Sequence, residues 1–168
     1  MKEKRAEKSI TNAMFSLLAV KPLSEISVTE LITKAGVCRS SYYRNYYLLE
    51  DVIKKYSQEL SARIFQLPPA SLDDLPSHMQ QVYEIYLAER ERLTILDKRN
   101  LFYLMDDKLY ELCATQIQRL DMSLGRYQTE IYAGASAYLI RAWVHRGFQE
   151  SPAELAEIST ALIMRYSR

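Results

Sequence analysis

Residues 26–46, with the sequence ISVTELITKAGVCRSSYYRNY, decide how the N-terminal part of the chain folds. Ser27 is followed three residues later by Glu30, and this spacing is a capping box that predicts a helix beginning after Ser27. Apolar residues then recur at positions 28, 31, 32 and 35, which is the spacing of one helical face. Gly36 follows directly and predicts the end of the helix, because glycine adopts a left-handed backbone at little steric cost.

A second short helix is predicted to begin near Val37, since Cys38, Tyr42 and Tyr46 continue the apolar pattern at four-residue spacing. The residues between them face outward and carry guanidinium, hydroxyl, phenol and amide groups. They are Arg39, Ser40, Ser41, Tyr43, Arg44 and Asn45. Two helices joined by a tight turn, with such a face on the second, are typical of a helix-turn-helix that enters the major groove of DNA. This stretch therefore predicts double-stranded DNA as a partner.

The distribution of charge agrees with a nucleic-acid partner at one end of the chain. The net charge is only +1, but residues 1–55 carry ten Lys and Arg against six Asp and Glu. The remaining residues carry twelve against fifteen. A basic N-terminal third on a slightly acidic remainder fits DNA bound at that end, although solvated helix faces often show the same pattern.

The chain of 168 residues contains only 4 Gly and 5 Pro and follows helical periodicity along most of its length, so we expect an all-α fold of about nine helices. The sequence LPPAS at residues 67–71 marks one clear boundary, because consecutive prolines end a helix. We predict a DNA-binding domain over residues 1–66. It consists of three helices followed by a linking helix at residues 50–66. Residues 71–168 are predicted to form a helical regulatory and dimerisation domain.

A long helix predicted over residues 128–147 has no charged residue between Glu130 and Arg141. Since a surface helix needs a polar side, this helix is expected to be buried nearly all round, which suggests a second copy of the chain and a homodimer. The last helix is predicted to begin at a capping box formed by Ser151 and Glu154. The residues predicted at the dimer interface are Ile131, Ala135, Tyr138, Ala142, Leu155, Ile158 and Leu162.

The sequence offers almost no support for an enzyme, a metal centre or a cofactor. Cys38 and Cys113 have neither metal-ligand nor redox-motif spacing, and His78 and His145 are far apart. There is no glycine-rich phosphate loop and no nucleophile elbow. A signal peptide and an apolar run of about 20 residues are also missing, so we expect a cytoplasmic protein with no membrane partner.

Four short motifs recur in order through the N-terminal part of the chain: ISVTEL at residues 26–31, AGV at 35–37, SYY at 41–43 and EDV at 50–52. With these motifs, residues 3–63 resemble the DNA-binding domain of TetR-type (tetracycline-repressor-like) transcriptional regulators. The resemblance implies an all-α homodimer whose last two helices pair with those of the second copy into a four-helix bundle. It also implies a transcriptional regulator that binds a palindromic operator, and it favours a repressor over an activator.

The resemblance assigns DNA contacts to the start of the first helix of the motif and to the outward face of the second. These residues are Thr29, Arg39, Ser40, Ser41, Tyr43, Arg44 and Asn45. Cys38 stands where a Ser or Thr usually caps the second helix, and residues 47–49 (YLL) replace a polar turn that usually ends in a phosphate-binding Lys. Asn45 replaces a common His. These departures motivate an alternative function, a protein–protein adaptor or co-regulator with the same fold and weak intrinsic DNA binding.

The C-terminal part resembles the family more loosely. WVHRGF at residues 143–148, followed by SPAE at 151–154, is similar to one subclass that includes regulators of dihydroxyacetone-kinase operons. Most relatives of this type sense a small-molecule effector in this domain. Aromatic and Met residues at helical spacing belong more often to an ordinary core than to such a pocket. The candidates to line a pocket are Tyr83, Tyr86, Tyr103, Met105 and Trp143.

Overall fold

The computed structural model describes residues 2–68, 71–119 and 125–165, and within these ranges all regular structure is helical. A single 3-10 turn, Leu23–Glu25, separates the first two α-helices. The prediction of an all-α fold with about nine helices is confirmed. In chain order the helices are α1 (Lys2–Leu18), α2 (Val28–Ala35), α3 (Arg39–Tyr43), α4 (Glu50–Phe65), α5 (Leu75–Ala88), α6 (Arg90–Lys98), α7 (Tyr103–Gln118), α8 (Arg126–His145) and α9 (Pro152–Arg165).

The head, which we define as α1 to α3, is built around the inner face of α1. Ile10, Met14 and Leu18 are buried on this face, and both α2 and α3 pack against it. Leu31 of α2 and Tyr42 of α3 have no exposed surface. Because burial of apolar surface is the main stabilising term in folding, this packing holds the short α3 in one orientation.

Local hydrogen bonds set the limits of α2 where the sequence predicts them. The Ser27 hydroxyl accepts a hydrogen bond from the Glu30 backbone at 3.1 Å, and Gly36 ends the helix with a φ of 65°. Only half of the capping box forms, however. The Glu30 carboxylate pairs with Lys21 Nζ at 2.6 Å instead, and this bond lowers the pKa of the carboxyl group.

The body, which we define as α4 to α9, surrounds a core of large apolar side chains. In it α7 packs on α8, α9 on α5, and α4 on α7. Trp143 of α8 is 1% exposed, and its indole Nε1 donates to the carbonyl of Glu150 at 2.9 Å. The predicted capping box at the start of α9 forms in both directions, between Ser151 and Glu154.

The helix predicted over residues 128–147 is covered on only one face within the single chain, so its burial nearly all round, which we expected from a second copy of the chain, stays a prediction. One face of α8 is buried, including Ala133 and Ile140. On the opposite face, Ile131 and Tyr138 are 67% and 72% exposed. The helix is apolar on both faces, and the core of its own chain covers only one of them.

Arginine side chains at α6 join the head to the body. Arg99, the C-cap of α6, donates from Nε to the carbonyl of Leu18 at 2.7 Å and from Nη2 to the carbonyl of Ala19 at 3.1 Å. These carbonyls at the end of α1 would otherwise lack intrahelical partners. Arg92 of α6 donates to the side chain of Asn12 on α1 at 2.7 Å. The head is therefore held at α6 as well as through the chain connection at α4.

Within the described ranges, no helix is both long enough and apolar enough to cross a lipid bilayer. The same residues contain no group of three or more His, Cys, Asp or Glu that could hold a metal ion. Both cysteines are free thiols, Cys38 exposed and Cys113 buried. Burial raises the pKa of the Cys113 thiol to about 12, so this group is protonated at neutral pH.

Candidate nucleic-acid interface

Two buried tyrosines hold the outward face of α3 in place. Tyr42 and Tyr46 are 0% and 1% exposed, and their ring centroids lie 5.5 Å apart. Burial raises the pKa of each phenol to about 12, so both side chains stay neutral inside the head. Since this side of α3 is covered, only the opposite side is open to a partner.

Most of the predicted DNA-contact residues lie on that open side. Ser41 and Asn45 are half-buried, and Asn45 Nδ2 donates to the carbonyl of Ser41 at 3.3 Å. One amide hydrogen of Asn45 therefore holds the end of α3 and is not directed at a partner. The remaining predicted contact residues are exposed: Thr29, Arg39, Ser40, Tyr43 and Arg44.

Arg39 lies in the first turn of α3, and Tyr43 orders its side chain. Nη2 of Arg39 donates to the phenol oxygen at 3.4 Å, and the guanidinium carbon lies 5.4 Å from the ring centroid. A guanidinium stacked on a ring loses less freedom when it forms a bidentate contact with guanine. Neither Arg39 nor Arg44 forms an ion pair with any carboxylate in the described part of the chain.

Cys38 occupies the N-cap position of α3 and forms no side-chain cap. Its Sγ lies 3.2 Å from the Ser40 hydroxyl and 3.0 Å from the Ser41 hydroxyl. Hydrogen bonds with Ser40, and next with Ser41, lower the pKa of the Cys38 thiol to about 7. A thiolate therefore begins to form near neutral pH on the surface that carries Arg39.

We expect this thiol to make DNA binding dependent on pH. As the pH rises through 7, a negative charge forms on Cys38 and should weaken binding to phosphates a few-fold. Cys38→Ser should flatten the profile, and Cys113→Ala should leave it unchanged because the Cys113 thiol is buried and protonated. The measurement is fluorescence anisotropy of labelled DNA at constant ionic strength. Identical profiles for the native chain and Cys38→Ser would contradict the prediction.

The turn between α3 and α4 is closed by Asp51, whose Oδ2 accepts hydrogen bonds from the backbone of Tyr47 and of Leu48, both at 2.9 Å. Tyr47 is 84% exposed and Leu48 is 59% exposed, whereas Leu49 packs partly against the core. Tyr47 thus adds a phenol beside α3 that was not among the predicted contacts. The signal was present in the sequence, because residue 47 lies off the 38–42–46 apolar stripe.

A second candidate surface is the outer face of the last two helices, where large apolar side chains are exposed at helical spacing. Ile131 and Tyr138 of α8 are 67% and 72% exposed, and Ile158 and Leu162 of α9 are 52% and 43% exposed. Ala135 and Ala142, in the same row of α8, are half-buried. Single exposed apolar residues are normal, but rows of them on two helices mark an interaction surface.

Leu155 is not part of this outer face, although we expected it there. Its side chain is 2% exposed and lies with Ala156 and Ile163 on the inner side of α9, which packs against α5. The spacing of positions 155, 158 and 162 did not reveal that the first of them turns inward. Tyr127, which is 80% exposed and four residues before Ile131, was missed, and extending the α8 row by one turn would have found it.

The body contains a cavity between α4, α5, α7, α8 and α9. It has a free volume of about 50 Å³ and is partly open to solvent, and its lining is mainly apolar. Of the five residues predicted to line an effector pocket, Tyr83 and Tyr86 do so. Met105 and Trp143 are buried outside the lining, and Tyr103 is 57% exposed.

Polar residues of the cavity lining were not predicted. Helical spacing alone does not distinguish a residue that faces an internal cavity from one that faces solvent. Such residues include His78, Gln116 and Arg119.

The fold is similar to that of three solved structures. A protein from Syntrophomonas wolfei assigned to the TetR family of transcriptional regulators has a TM-score of 0.75 and 12% identity, over 99% of this chain and 96% of that one. A TetR transcriptional regulator from Streptococcus agalactiae has a TM-score of 0.65 and 14% identity, over 96% and 95%. AlkX, a TetR-family repressor from Dietzia sp. implicated in biodegradation of n-alkanes, has a TM-score of 0.61 and 16% identity, over 96% and 94%.

No protein-family model and no curated protein matches this chain. Because the three structures cover nearly all of it, the chain has the fold of TetR-family transcriptional regulators over 96–99% of its length. At 12–16% identity the likeness shows the fold alone. Function has to be argued from the side chains.

Proposed function

We propose that this chain is a sequence-specific DNA-binding transcriptional regulator of the TetR type. The observation that carries the proposal is the open side of α3, where Arg39, Tyr43 and Arg44 are exposed on a helix whose other side is buried. A guanidinium can bind guanine O6 and N7 in the major groove, and hydroxyl and phenol groups can bind phosphates. The role needs no catalytic step, and it places the protein with the DNA in the cytoplasm.

The regulator acts as a homodimer through the outer face of α8 and α9. Pairing these helices with those of a second copy would cover Ile131, Tyr138, Ile158 and Leu162, which are exposed in the single chain. A two-fold dimer carries two heads, so its operator is palindromic and its half-sites lie about one helical turn apart. Residues 1–66 then serve as the DNA-binding domain and residues 71–168 as the regulatory and dimerisation domain.

The regulator is a repressor that a small molecule releases from DNA. This part of the proposal is supported by the cavity, whose wall includes Ile64 of α4, the helix that leads directly from the head. A ligand can switch DNA binding only if it prefers one placement of the heads over another. Because residues 143–148 are similar to regulators of dihydroxyacetone-kinase operons, we also propose that the chain belongs to that subclass.

The proposal is tested by titrating the purified chain against DNA from upstream of its own gene. We expect specific binding whose affinity falls steeply as the salt concentration rises, because phosphate contacts release counterions. A scrambled duplex of the same length and base composition is the control. Equal affinity for both duplexes, or affinity that does not change with salt, would contradict a specific regulator.

A second candidate function is a protein–protein adaptor or co-regulator with weak intrinsic DNA binding. It is favoured by the uncapped start of α3 at Cys38 and by exposed Leu48 in the turn where the resemblance expects a polar, phosphate-binding segment. An adaptor would copurify with a stoichiometric partner and would bind DNA only in its presence. Salt-sensitive binding by the purified chain alone would exclude this alternative.

A further inference from the structure

The cavity in the body has a polar end. His78 lies in the first turn of α5, Gln116 in the last turn of α7, and Arg119 is the C-cap of α7. All three line the cavity. Burial, and next the positive charge of Arg119, lower the pKa of His78, which favours the neutral imidazole.

The remainder of the cavity is apolar. Away from the polar end the lining continues with Val82 and Tyr86 on α5, Leu112 on α7 and Ile140 on α8. Each of these side chains is nearly fully buried. No Asp or Glu is among the described residues that line the cavity. Among the described residues, the site therefore joins an apolar surface to a single cationic end.

Two groups at the polar end have no partner in the described part of the chain. Gln116 Nε2 is buried there without a hydrogen-bond acceptor. Arg119 forms no ion pair with a described carboxylate. His78, in contrast, is hydrogen-bonded to the backbone of Pro68. Since buried donors in folded proteins are normally paired, the Gln116 amide points to an acceptor supplied from outside the chain, and the half-buried Arg119 guanidinium is available to the same acceptor.

We infer that the cavity binds a small amphipathic carboxylate. Its acid group contacts Arg119 and Gln116, and its hydrocarbon part lies against Val82, Leu112 and Tyr86. The inference deepens the proposed function by naming the chemical class of the effector. Binding to the cavity itself does not depend on whether the head binds DNA.

The lining distinguishes between head groups on the same hydrocarbon tail. A carboxylate accepts two charge-assisted hydrogen bonds from a guanidinium, and it also accepts from an amide. An alcohol can satisfy the Gln116 amide but leaves the charge of Arg119 unmatched. An ammonium group would place a second positive charge beside Arg119, with no acid in the described lining. The expected order of affinity is acid, then alcohol, then amine.

The experiment compares octanoate, 1-octanol and octylamine as probes, with the full chain and without DNA. Trp143 is the only tryptophan, and its ring centroid lies 5.7 Å from that of Tyr83 in the cavity wall, so its fluorescence reports binding. Isothermal titration calorimetry gives the affinities independently. We expect octanoate to bind at least about tenfold more tightly than 1-octanol, as for one charge-assisted contact.

Arg119→Met should remove this preference while leaving the affinity for 1-octanol nearly unchanged. Gln116→Met keeps the side-chain volume and should weaken octanoate binding a few-fold. Arg146→Met is the matched control, because Arg146 is exposed, caps the end of α8 and does not line the cavity. Binding of 1-octanol as tight as that of octanoate, equal losses for Arg119→Met and Arg146→Met, or no binding of any probe would overturn the inference.

The result of this ligand-binding experiment can be distinguished from the result of the DNA-binding test of the proposed function. If octanoate binds in the expected order but the chain binds no DNA, the carboxylate site stands and the regulator proposal fails. If the chain binds its operator but none of the three probes binds, the regulator proposal stands and the carboxylate site is wrong. Circular dichroism of each variant establishes that it is folded before its affinities are compared.

Discussion

Arg39→Ala should lower the affinity for a specific operator by about tenfold to a hundredfold per half-site. The reason is that a bidentate contact between a guanidinium and guanine contributes about 1–3 kcal/mol of discrimination. Arg39 is exposed, has no described acidic partner and is stacked on Tyr43, so its guanidinium is available to the groove. A dimer presents two copies of α3, so the losses at the two half-sites should combine. Fluorescence anisotropy with operator and scrambled duplexes measures the effect.

The comparison between the two duplexes decides what Arg39 contacts. If it reads a base, Arg39→Ala weakens binding to the operator far more than binding to the scrambled duplex. Equal losses on both duplexes, with a shallower salt dependence, would instead make Arg39 a phosphate contact. Arg146→Ala is the control for the loss of one positive charge, because Arg146 is exposed on the body at the end of α8. Its effect should be small on both duplexes.

Tyr138→Asp should convert the proposed dimer into a folded monomer. The side chain is 72% exposed in the single chain, so the substitution leaves the monomer core intact. In a two-fold dimer the substitution would bury two unpaired carboxylates at the interface between the copies. The loss of a central aromatic residue by itself often weakens the free energy of association by about 2 kcal/mol or more. We therefore expect the dimer dissociation constant to rise at least about a hundredfold. Analytical ultracentrifugation over a range of concentrations measures it.

Val20→Asp provides the matched control for this second prediction. Val20 is 76% exposed and lies in the head just after α1, so an acid there should leave the dimer unchanged. The monomeric Tyr138→Asp chain should also lose most of its operator affinity, because two linked heads gain from a high effective concentration at the second half-site. A Tyr138→Asp protein that sedimented as a dimer would show that the outer face of α8 is not the interface.

Residues 26–46 show how far sequence reasoning reaches in the head. The start of α2 after Ser27 and its end at Gly36 are as predicted, because both depend on hydrogen bonds and backbone preferences within three or four residues. The role of Glu30 was not predictable in the same way. Its carboxylate pairs with Lys21, nine residues earlier, and so leaves the capping box half-formed.

The candidate DNA-binding face of α3 was predictable as a face, but the contacts within it were not. The spacing of Tyr42 and Tyr46 was enough to place both inside, and this left Arg39, Tyr43 and Arg44 outside. The contacts within that face depend on rotamers that no spacing rule supplies. The stacking of Arg39 on Tyr43 is one of them, and the two thiol–hydroxyl contacts that lower the pKa of Cys38 are others.

In the body, the sequence by itself determined that α8 is apolar on more than one side and that α9 begins at a capping box, because periodicity and capping are local properties. Only the tertiary structure decided that Ile131 and Tyr138 face outward while Leu155 faces α5. It likewise decided that Tyr83 and Tyr86 line a cavity with Gln116 and Arg119, while Tyr103 faces solvent. The physical reason is that an apolar residue can be buried on any side that another element covers. Which side is covered depends on the packing of helices that are distant in sequence.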